Sequence, residues 1–143
     1  LQTIITAGPD IIGHNMETVP RLYAEVRPEA EYARSLEVLA QIKRMSATII
    51  SKSGLMLGMG ETDAEILQVM RDLREQHCQI LTLGQYLAPT AKHFPVQQYI
   101  TPEKFRELCK LGRDLGFEHV ESGPLVRSSY HAEEQFTAFE EQH

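Results

Sequence analysis

Short apolar runs alternate with amphipathic helical segments along this chain, and no other feature of the sequence constrains the fold as strongly. The predicted order of elements is β, α, α, β, α, β, α, β. Strands joined through helices form parallel sheets, so this order predicts an α/β fold with a parallel sheet. The predicted strands lie at 9–14, 47–57, 80–86 and 117–126, and the predicted helices lie at 18–27, at 34–45, and from residues 62 and 101 onward. Within 47–57, the strand is centred either on 48–50 or on 54–57.

Capping residues mark several of the helix boundaries. Thr62 stands three residues before Glu65, which is a capping-box pattern. Thr101 is followed by a proline at the first helical position, and Gly116 is placed to close that helix in a left-handed conformation. Thr18 is a weaker candidate cap for the helix at 18–27. These signals fix where the predicted helices begin and end.

Composition and charge exclude several classes of protein. The chain has 143 residues, 42% of them hydrophobic and 24% charged, which is ordinary for one globular domain. The formal net charge is -6 and the basic residues are scattered, which argues against a nucleic-acid partner. No apolar run approaches the roughly 18 residues of a membrane span, and the first residues do not resemble a signal peptide. We therefore expect a cytoplasmic protein with no membrane association.

The two cysteines do not form a recognisable motif. Cys78 and Cys109 fit neither a CxxC pattern nor a zinc-site spacing, and both fall within helical patterns. A small, half-buried apolar role is the expectation for each.

Polar clusters follow the predicted strands. Because parallel α/β folds place their sites at the carboxyl ends of strands, this placement indicates an enzyme, although it names no reaction. The clusters are His14-Asn15-Met16-Glu17-Thr18, Gly58-Met59-Gly60-Glu61-Thr62, Gln85-Tyr86 and Arg127-Ser128-Ser129-Tyr130.

Each cluster also has a purely structural interpretation. The turn at 58–62 either brings backbone close to a ligand or is a tight βα loop, and it lacks the Gly-Lys-Ser/Thr of a phosphate-binding loop. The residues at 14–17 either orient a polar ligand or form loop hydrogen bonds. Lys52 either points into a cleft or extends to solvent. His93, in the loop between two prolines, is expected at the surface.

Three sequence blocks occur in one order and spacing that is highly specific. They are KSGLMLGMGET at 52–62, GQYLxPT at 84–90 and GPLVRSSYHA at 123–132. Together with flanking similarity that runs nearly from Leu1 to Gln135, they resemble lipoyl synthase, a radical S-adenosylmethionine (SAM) enzyme. The chain begins with Leu and resembles the C-terminal part of that family, which suggests a fragment.

The resemblance implies a fold and a reaction. It implies the second half of a partial (β/α)6 barrel at 1–126, followed by a tail at 127–143 that carries the RSSY motif. The family inserts two sulfur atoms at C6 and C8 of a protein-bound octanoyl group. It uses SAM and two [4Fe-4S] clusters, one that cleaves SAM to a radical and an auxiliary one that supplies sulfur. The cluster cysteines of the family lie N-terminal to the matched region, so we expect this chain alone to be inactive.

The resemblance also implies roles for particular residues. Ser129, or less favourably Ser128, would coordinate the auxiliary cluster, with Arg127 close by. The expected partners are an octanoylated lipoyl domain or the glycine-cleavage H protein, with flavodoxin or ferredoxin as electron donor. The alternative is a cluster-free binding or regulatory module that retains the same fold. The residues expected to contact SAM or substrate are Asn15, Glu17, Arg34, Lys52, Glu61, Gln85 and Tyr86.

Overall fold

The computed structural model describes residues 11–23, 32–45 and 48–126. Strands and helices alternate through these ranges, as the sequence predicted. One short 3-10 helix, Pro20–Leu22, follows the first strand. The strands are β1 (Ile11–Gly13), β2 (Ile50–Leu57), β3 (Ile80–Gln85) and β4 (His119–Ser122), and the helices are α1 (Tyr32–Met45), α2 (Asp63–Glu75) and α3 (Pro102–Asp114).

The four strands form one parallel sheet in the order β1-β2-β3-β4. Each strand lies beside the next strand in the chain. Because β-helix-β crossovers are right-handed, successive crossovers in one direction place their helices on the same side of the sheet. The predicted α/β class with a parallel sheet is confirmed, and the arrangement is consistent with part of a (β/α) barrel.

The helix capping predicted from the sequence is confirmed at three positions. Thr62 Oγ1 accepts from Glu65 N at 3.1 Å, and the Glu65 carboxylate accepts from Thr62 N at 2.8 Å, which completes the capping box before α2. Thr101 Oγ1 accepts from Lys104 N at 3.1 Å at the start of α3. Gly116, with a φ of 107°, follows the end of that helix.

The prediction for 18–27 is wrong in part. The described portion is the 3-10 helix Pro20–Leu22, which follows Val19 without a side-chain cap, and Tyr23, which is helical as well. Thr18 does not cap it, because Thr18 Oγ1 is buried without a hydrogen-bond partner. The physical reason is that sheet pairing continues past β1 to a bridge between Glu17 and Leu55, so the helical segment begins at Pro20 and not at Thr18. Residues 24–27 of this prediction lie outside the described residues.

The hydrophobic core lies between the helices and one face of the sheet, which we call the helix face. Gly112 of α3 packs so closely here that a Cβ would stand 3.1 Å from Val120 Cγ2. Cys78 is buried and Cys109 is partly buried, as expected. The core residues from β2, β3 and the two following helices are Leu55, Leu57, Ile66, Val69, Met70, Leu73, Leu81, Leu83, Phe105 and Leu108.

The opposite face of the sheet is polar along three strands. Side chains alternate between faces, and the register pairs Lys52 with Ile80 and His119, and Gly54 with Thr82 and Glu121. We call Lys52, Thr82, His119 and Glu121 the polar face. A Cβ on Gly54 would lie 2.1 Å from Thr82 Oγ1, so the Thr82 side chain leans across this glycine.

Among the described residues, none of the helices combines the length and apolarity that crossing a bilayer requires.

Replacing Gly54 with alanine should destabilise the sheet. The added methyl group would collide with Thr82, whose Oγ1 and O lie 2.1 and 3.0 Å away, and overpacking of this kind costs about 1–3 kcal/mol. The loss is measured as a fall in the urea unfolding midpoint. Gly123→Ala is the matched control, because a Cβ there meets Val126 Cγ2 at 3.8 Å, an ordinary contact distance. Thr82→Ala should restore part of the loss, and no restoration would contradict the proposed collision.

Candidate functional site

A cavity of about 310 Å³ lies at the carboxyl ends of β2 and β3. The segments that line it follow β1, β2 and β3, which is where parallel α/β folds place ligand sites. We call it the carboxyl-end cavity. Most of its lining is apolar, with a carboxylate, a phenol and an imidazole among the polar groups. The lining residues are Glu17, Met56, Met59, Tyr86, Leu87, Pro89, His93 and Phe94.

Glu17 reaches this cavity from an unusual backbone conformation. Its φ of 71° lies in the left-handed region, which non-glycine residues seldom adopt. The amides of Met16 and Glu17 both donate to the Gly54 carbonyl at 3.1 Å, and the Glu17 carbonyl accepts from Met56 N at 2.9 Å. Two residues therefore face one, as in a β-bulge, and bulges redirect side chains beside active sites. Backbone strain of this kind concentrates at functional sites.

Tyr86 continues β3 and connects it to the loop that closes the cavity. Its amide donates to Leu57 O at 2.7 Å, and its hydroxyl donates to Phe94 O at 2.6 Å. In the same loop, His93 Nδ1 lies 2.8 Å from Thr90 Oγ1. His93 is exposed, as the sequence predicted, and it also lines the cavity.

Gln85, one residue earlier, points to the helix face instead. Its Nε2 donates to Tyr86 O at 2.9 Å and to Gln98 O at 3.0 Å, and its Oε1 accepts from Ile100 N at 2.8 Å. The side chain is 4% exposed. The predicted ligand contact is therefore not visible in the geometry, which shows an amide bonded to backbone of the following loop.

Glu61 also bonds to backbone. Its carboxylate accepts from Gly58 N at 3.0 Å and from Met59 N at 3.1 Å, and so fills the concave amide group of the glycine turn. Gly58 and Gly60 have φ angles of 106° and 100°, which explains the two glycines of this turn. The turn at 58–62 is thus a tight βα connection held by its own carboxylate.

A guanidinium braces the same turn from the segment after β1. Arg21 Nη2 donates to Gly60 O at 2.9 Å. Arg21 also donates to both carboxylate oxygens of Glu65, from Nε at 2.9 Å and from Nη2 at 3.0 Å. Bidentate pairs of this type are stronger than single hydrogen bonds. The hydrogen bonds from Arg21 are the main reason that the pKa of Glu65 falls to about 2. This contact ties the segment after β1 to the start of α2.

Lys52 lies deeper in the sheet, on the polar face. It is 4% exposed, so the interpretation that its side chain extends to solvent is wrong. Burial lowers the pKa of Lys52, and the Glu121 carboxylate opposes this shift. Burial lowers the pKa of His119 as well, again opposed by Glu121, and His119 Nδ1 is buried without a hydrogen-bond partner. The polar face therefore holds three interacting titratable groups.

The seven predicted contact residues do not form one cluster. Asn15 is partly buried beside His14, whose amide donates to Lys52 O at 3.0 Å, and Arg34 is exposed on α1. Of the seven, the carboxyl-end cavity brings together Glu17 and Tyr86. The RSSY residues Arg127, Ser128 and Ser129 lie outside the described residues.

Sequence reasoning missed several residues of the cavity and of the polar face. Met56, Met59 and Phe94 were not singled out, since apolar residues at strand ends look like core. His119 and Glu121 alternate along β4, and this two-residue spacing would have placed them on one face once the strand was located.

The described cysteines do not fit an iron–sulfur cluster. Cluster iron is held by thiolates, but burial raises the pKa of the Cys78 thiol to about 12. Cys78 lies just before β3, at the end of the sheet opposite the cavity. Cys109 Sγ, on α3, is 3.8 Å from Val120 O. Within 11–23, 32–45 and 48–126, no group of three or more His, Cys, Asp or Glu side chains is arranged to hold a metal ion.

Fold and cavity together define an α/β protein with a candidate ligand site at the carboxyl ends of parallel strands. No protein-family model matches the chain. The lipoyl synthase of Caldanaerobacter subterraneus subsp. tengcongensis is 53% identical over 133 residues, which cover 93% of this chain and 47% of that protein. The lipoyl synthase of Rubrobacter xylanophilus is 57% identical over 135 residues, covering 94% and 42%. That of Nitrosococcus oceani is 58% identical over 132 residues, covering 92% and 41%.

The chain spans less than half the length of the curated relatives it matches. The resemblance to lipoyl synthases is confirmed, since this chain is similar along most of its length to part of each of these proteins. The coverage fits the C-terminal portion that the motifs predicted.

Acid should weaken the fold through Glu65. The pKa of this carboxyl falls from 4.5 to about 2 in the folded chain, chiefly because Arg21 donates to it. A lowered folded pKa gives stabilisation that is present above the unfolded value and is lost as the pH falls toward 2. The urea midpoint of the wild type should therefore drop more steeply below about pH 5 than that of Glu65→Gln.

Arg21→Met is the matched partner variant for this test. It should remove part of the same pH dependence, and adding it to Glu65→Gln should change the dependence little further. Equal acid sensitivity of wild type and Glu65→Gln would contradict a role for this pair.

Proposed function

We propose that the protein containing this chain is a lipoyl synthase, which inserts two sulfur atoms at C6 and C8 of a protein-bound octanoyl group. The observation that carries this proposal is the convergence of the three specific sequence blocks. The blocks at 52–62 and 84–90 both line the carboxyl-end cavity, through Met56, Met59 and Tyr86. The third block returns toward β3, where Val126 O would be 2.3 Å from a Cβ on Gly84.

Two features of the cavity support an acyl substrate and SAM as its ligands. Met56, Met59 and Phe94 offer apolar surface, and burying each methylene of an acyl chain contributes about 0.8 kcal/mol. The Glu17 carboxylate would attract the positive charge of SAM. SAM, when bound, supplies the radical that removes hydrogen from unactivated carbon. The residues of this chain then bind and orient the two molecules.

Cluster chemistry is assigned elsewhere in the protein. Because the described cysteines do not fit a cluster, we assign the thiolate ligands to the two cysteine motifs that the family carries N-terminal to the matched region. From this chain, Ser129 is the proposed auxiliary-cluster ligand. A chain covers at most about 3.6 Å per residue, so three residues allow Ser129 to lie up to about 11 Å from Val126. The distance is counted from Val126, which lies against the sheet at Gly84, beside the cavity residue Met56.

The proposed partners follow from the reaction. The acyl group would arrive on a lipoyl domain or on the glycine-cleavage H protein, with flavodoxin or ferredoxin as the source of electrons. His93 lines the carboxyl-end cavity and is also exposed, so we propose that a carrier-bound chain enters past this side chain.

A chimera tests the proposed function. This chain would replace the matching segment of the Rubrobacter xylanophilus lipoyl synthase, so that the relative supplies the rest of the enzyme. We expect the chimera to support growth of a lipoate-requiring bacterium that lacks its own lipoyl synthase, and to lipoylate an octanoylated acceptor domain. Failure of a folded, iron-loaded chimera would contradict the proposal and favour the cluster-free binding module.

Two serine variants of the chimera test the cluster ligand. Ser129→Ala should abolish lipoylation, since it removes a ligand of the auxiliary cluster. Ser128→Ala is the matched control, one residue away, and should retain activity. The reverse pattern would assign the cluster ligand to Ser128. Activity in both variants would show that neither serine is a required ligand of the auxiliary cluster.

Two carboxylates should respond differently to substitution. Glu17→Gln should raise the Kd for SAM on the order of tenfold, the equivalent of about 1.4 kcal/mol, because the variant loses a charge in the cavity. Glu61→Gln should instead lower the urea midpoint, because an amide replaces a carboxylate that accepts from two backbone amides. Calorimetric titration with SAM measures the first effect, and urea denaturation measures the second. An unchanged Kd for SAM in Glu17→Gln would contradict the placement of the Glu17 carboxylate near SAM.

A further inference from the structure

We propose that Gln85 is a positioning residue, which fixes the loop at 86–100 as one wall of the carboxyl-end cavity and thereby sets the affinity for the acyl substrate. The substrate part of this proposal rests on the proposed function. The structural part does not, because it concerns only how one buried amide holds the loop.

The Gln85 amide is bonded to backbone through both of its polar atoms. The nitrogen donates to two carbonyls, Tyr86 O and Gln98 O, and the oxygen accepts from Ile100 N. Donor and acceptor cannot be exchanged, since carbonyls accept and the amide N–H donates. The three bonds connect Tyr86, the first residue of the loop, to Gln98 and Ile100 at its end. Gln85 therefore closes the loop at its base.

Gly58 forms the second part of this anchor. Its carbonyl accepts from Gln97 N at 2.7 Å and from Gln98 N at 3.1 Å. A Cβ at this position would lie 2.3 Å from Gln98 O and 2.4 Å from Gln85 Nε2. No side chain would fit at Gly58, because the glycine turn lies in direct contact with the end of β3 and with the end of the loop.

Beyond this base, the loop is held by the Tyr86 hydroxyl, which donates to Phe94 O at 2.6 Å, and by packing of Phe94 against the core. It contains no strand or α-helix, and Leu87 and Tyr99 are 49% and 70% exposed. Segments with little buried apolar surface open readily. Yet this loop supplies Leu87, Pro89, His93 and Phe94 to the cavity lining. The shape of that wall therefore depends on Gln85 at its base together with the Tyr86–Phe94 bond, although Gln85 does not itself line the cavity.

Proteolysis measures the structural part directly. Lys92 is exposed in the middle of the loop, so trypsin cleavage after Lys92, followed by mass spectrometry, reports how often the loop opens. Gln85→Met keeps the side-chain length but leaves Ile100 N and Gln98 O without their partner. We expect cleavage to accelerate on the order of tenfold or more, since buried groups lose their hydrogen bonds. Gln85→Glu, which retains an acceptor but loses both donors, should also accelerate it.

Gln97→Ala is the matched control. It removes a glutamine side chain from the same loop, but one whose amide makes an exposed bond to Pro95 O at 3.1 Å. Cleavage after Lys92 should stay within about twofold of wild type, as surface substitutions have small effects. If Gln85→Met and Gln85→Glu are cleaved no faster than wild type, the anchoring role is overturned. If one variant does not fold by circular dichroism, the other decides.

Kinetics of the chimera test the functional part. Gln85→Met should raise KM for the octanoylated acceptor on the order of tenfold while kcat changes less than about threefold, because the wall is displaced and the reacting groups are not. Faster cleavage with an unchanged KM would overturn the link to the substrate. An unchanged cleavage rate with a raised KM would assign Gln85 to direct ligand contact. An inactive wild-type chimera would contradict the proposed function, and the cleavage result would still decide the anchoring role.

Discussion

The parallel pairing of β2 with β3 is the constraint on which the rest of the structure depends. It runs from Lys52 opposite Ile80 to Leu57 opposite Gln85, and it sets which side chains point toward the helices. The two strands fit closely at Gly54, since the Thr82 side chain occupies the space that a side chain on Gly54 would need. Core, polar face and cavity all follow from this single register.

The register also explains why neighbouring residues have different roles. Gln85 and Tyr86 are adjacent, so their side chains leave opposite faces of the sheet. Gln85 bonds to the base of the loop on the helix side, whereas Tyr86 lines the cavity and holds Phe94 O. The same alternation separates Lys52 on the polar face from the apolar residues of β2 that pack against the helices.

The sequence predicted the elements well and the side-chain directions poorly, for a physical reason. The caps at Thr62 and Thr101 are local signals, carried by contacts three residues apart, and both are present as predicted. The bonds from Gln85 to Gln98 and from Arg21 to Glu65 join residues distant in the chain. A single sequence does not encode such pairs in any spacing rule, so Gln85 was expected in the pocket. Thr18 failed as a cap because sheet pairing extended into its segment.

The carboxylate of Glu61 has a consequence for ligand selection. Turns with two left-handed glycines before a helix commonly attract phosphate through their amides. Here the amides of Gly58 and Met59 already hold an anion that belongs to the chain. A phosphorylated metabolite or nucleotide would have to displace a covalently tethered competitor. Phosphate therefore meets no unpaired amide at Gly58 or Met59, because Glu61 already places a negative charge against both.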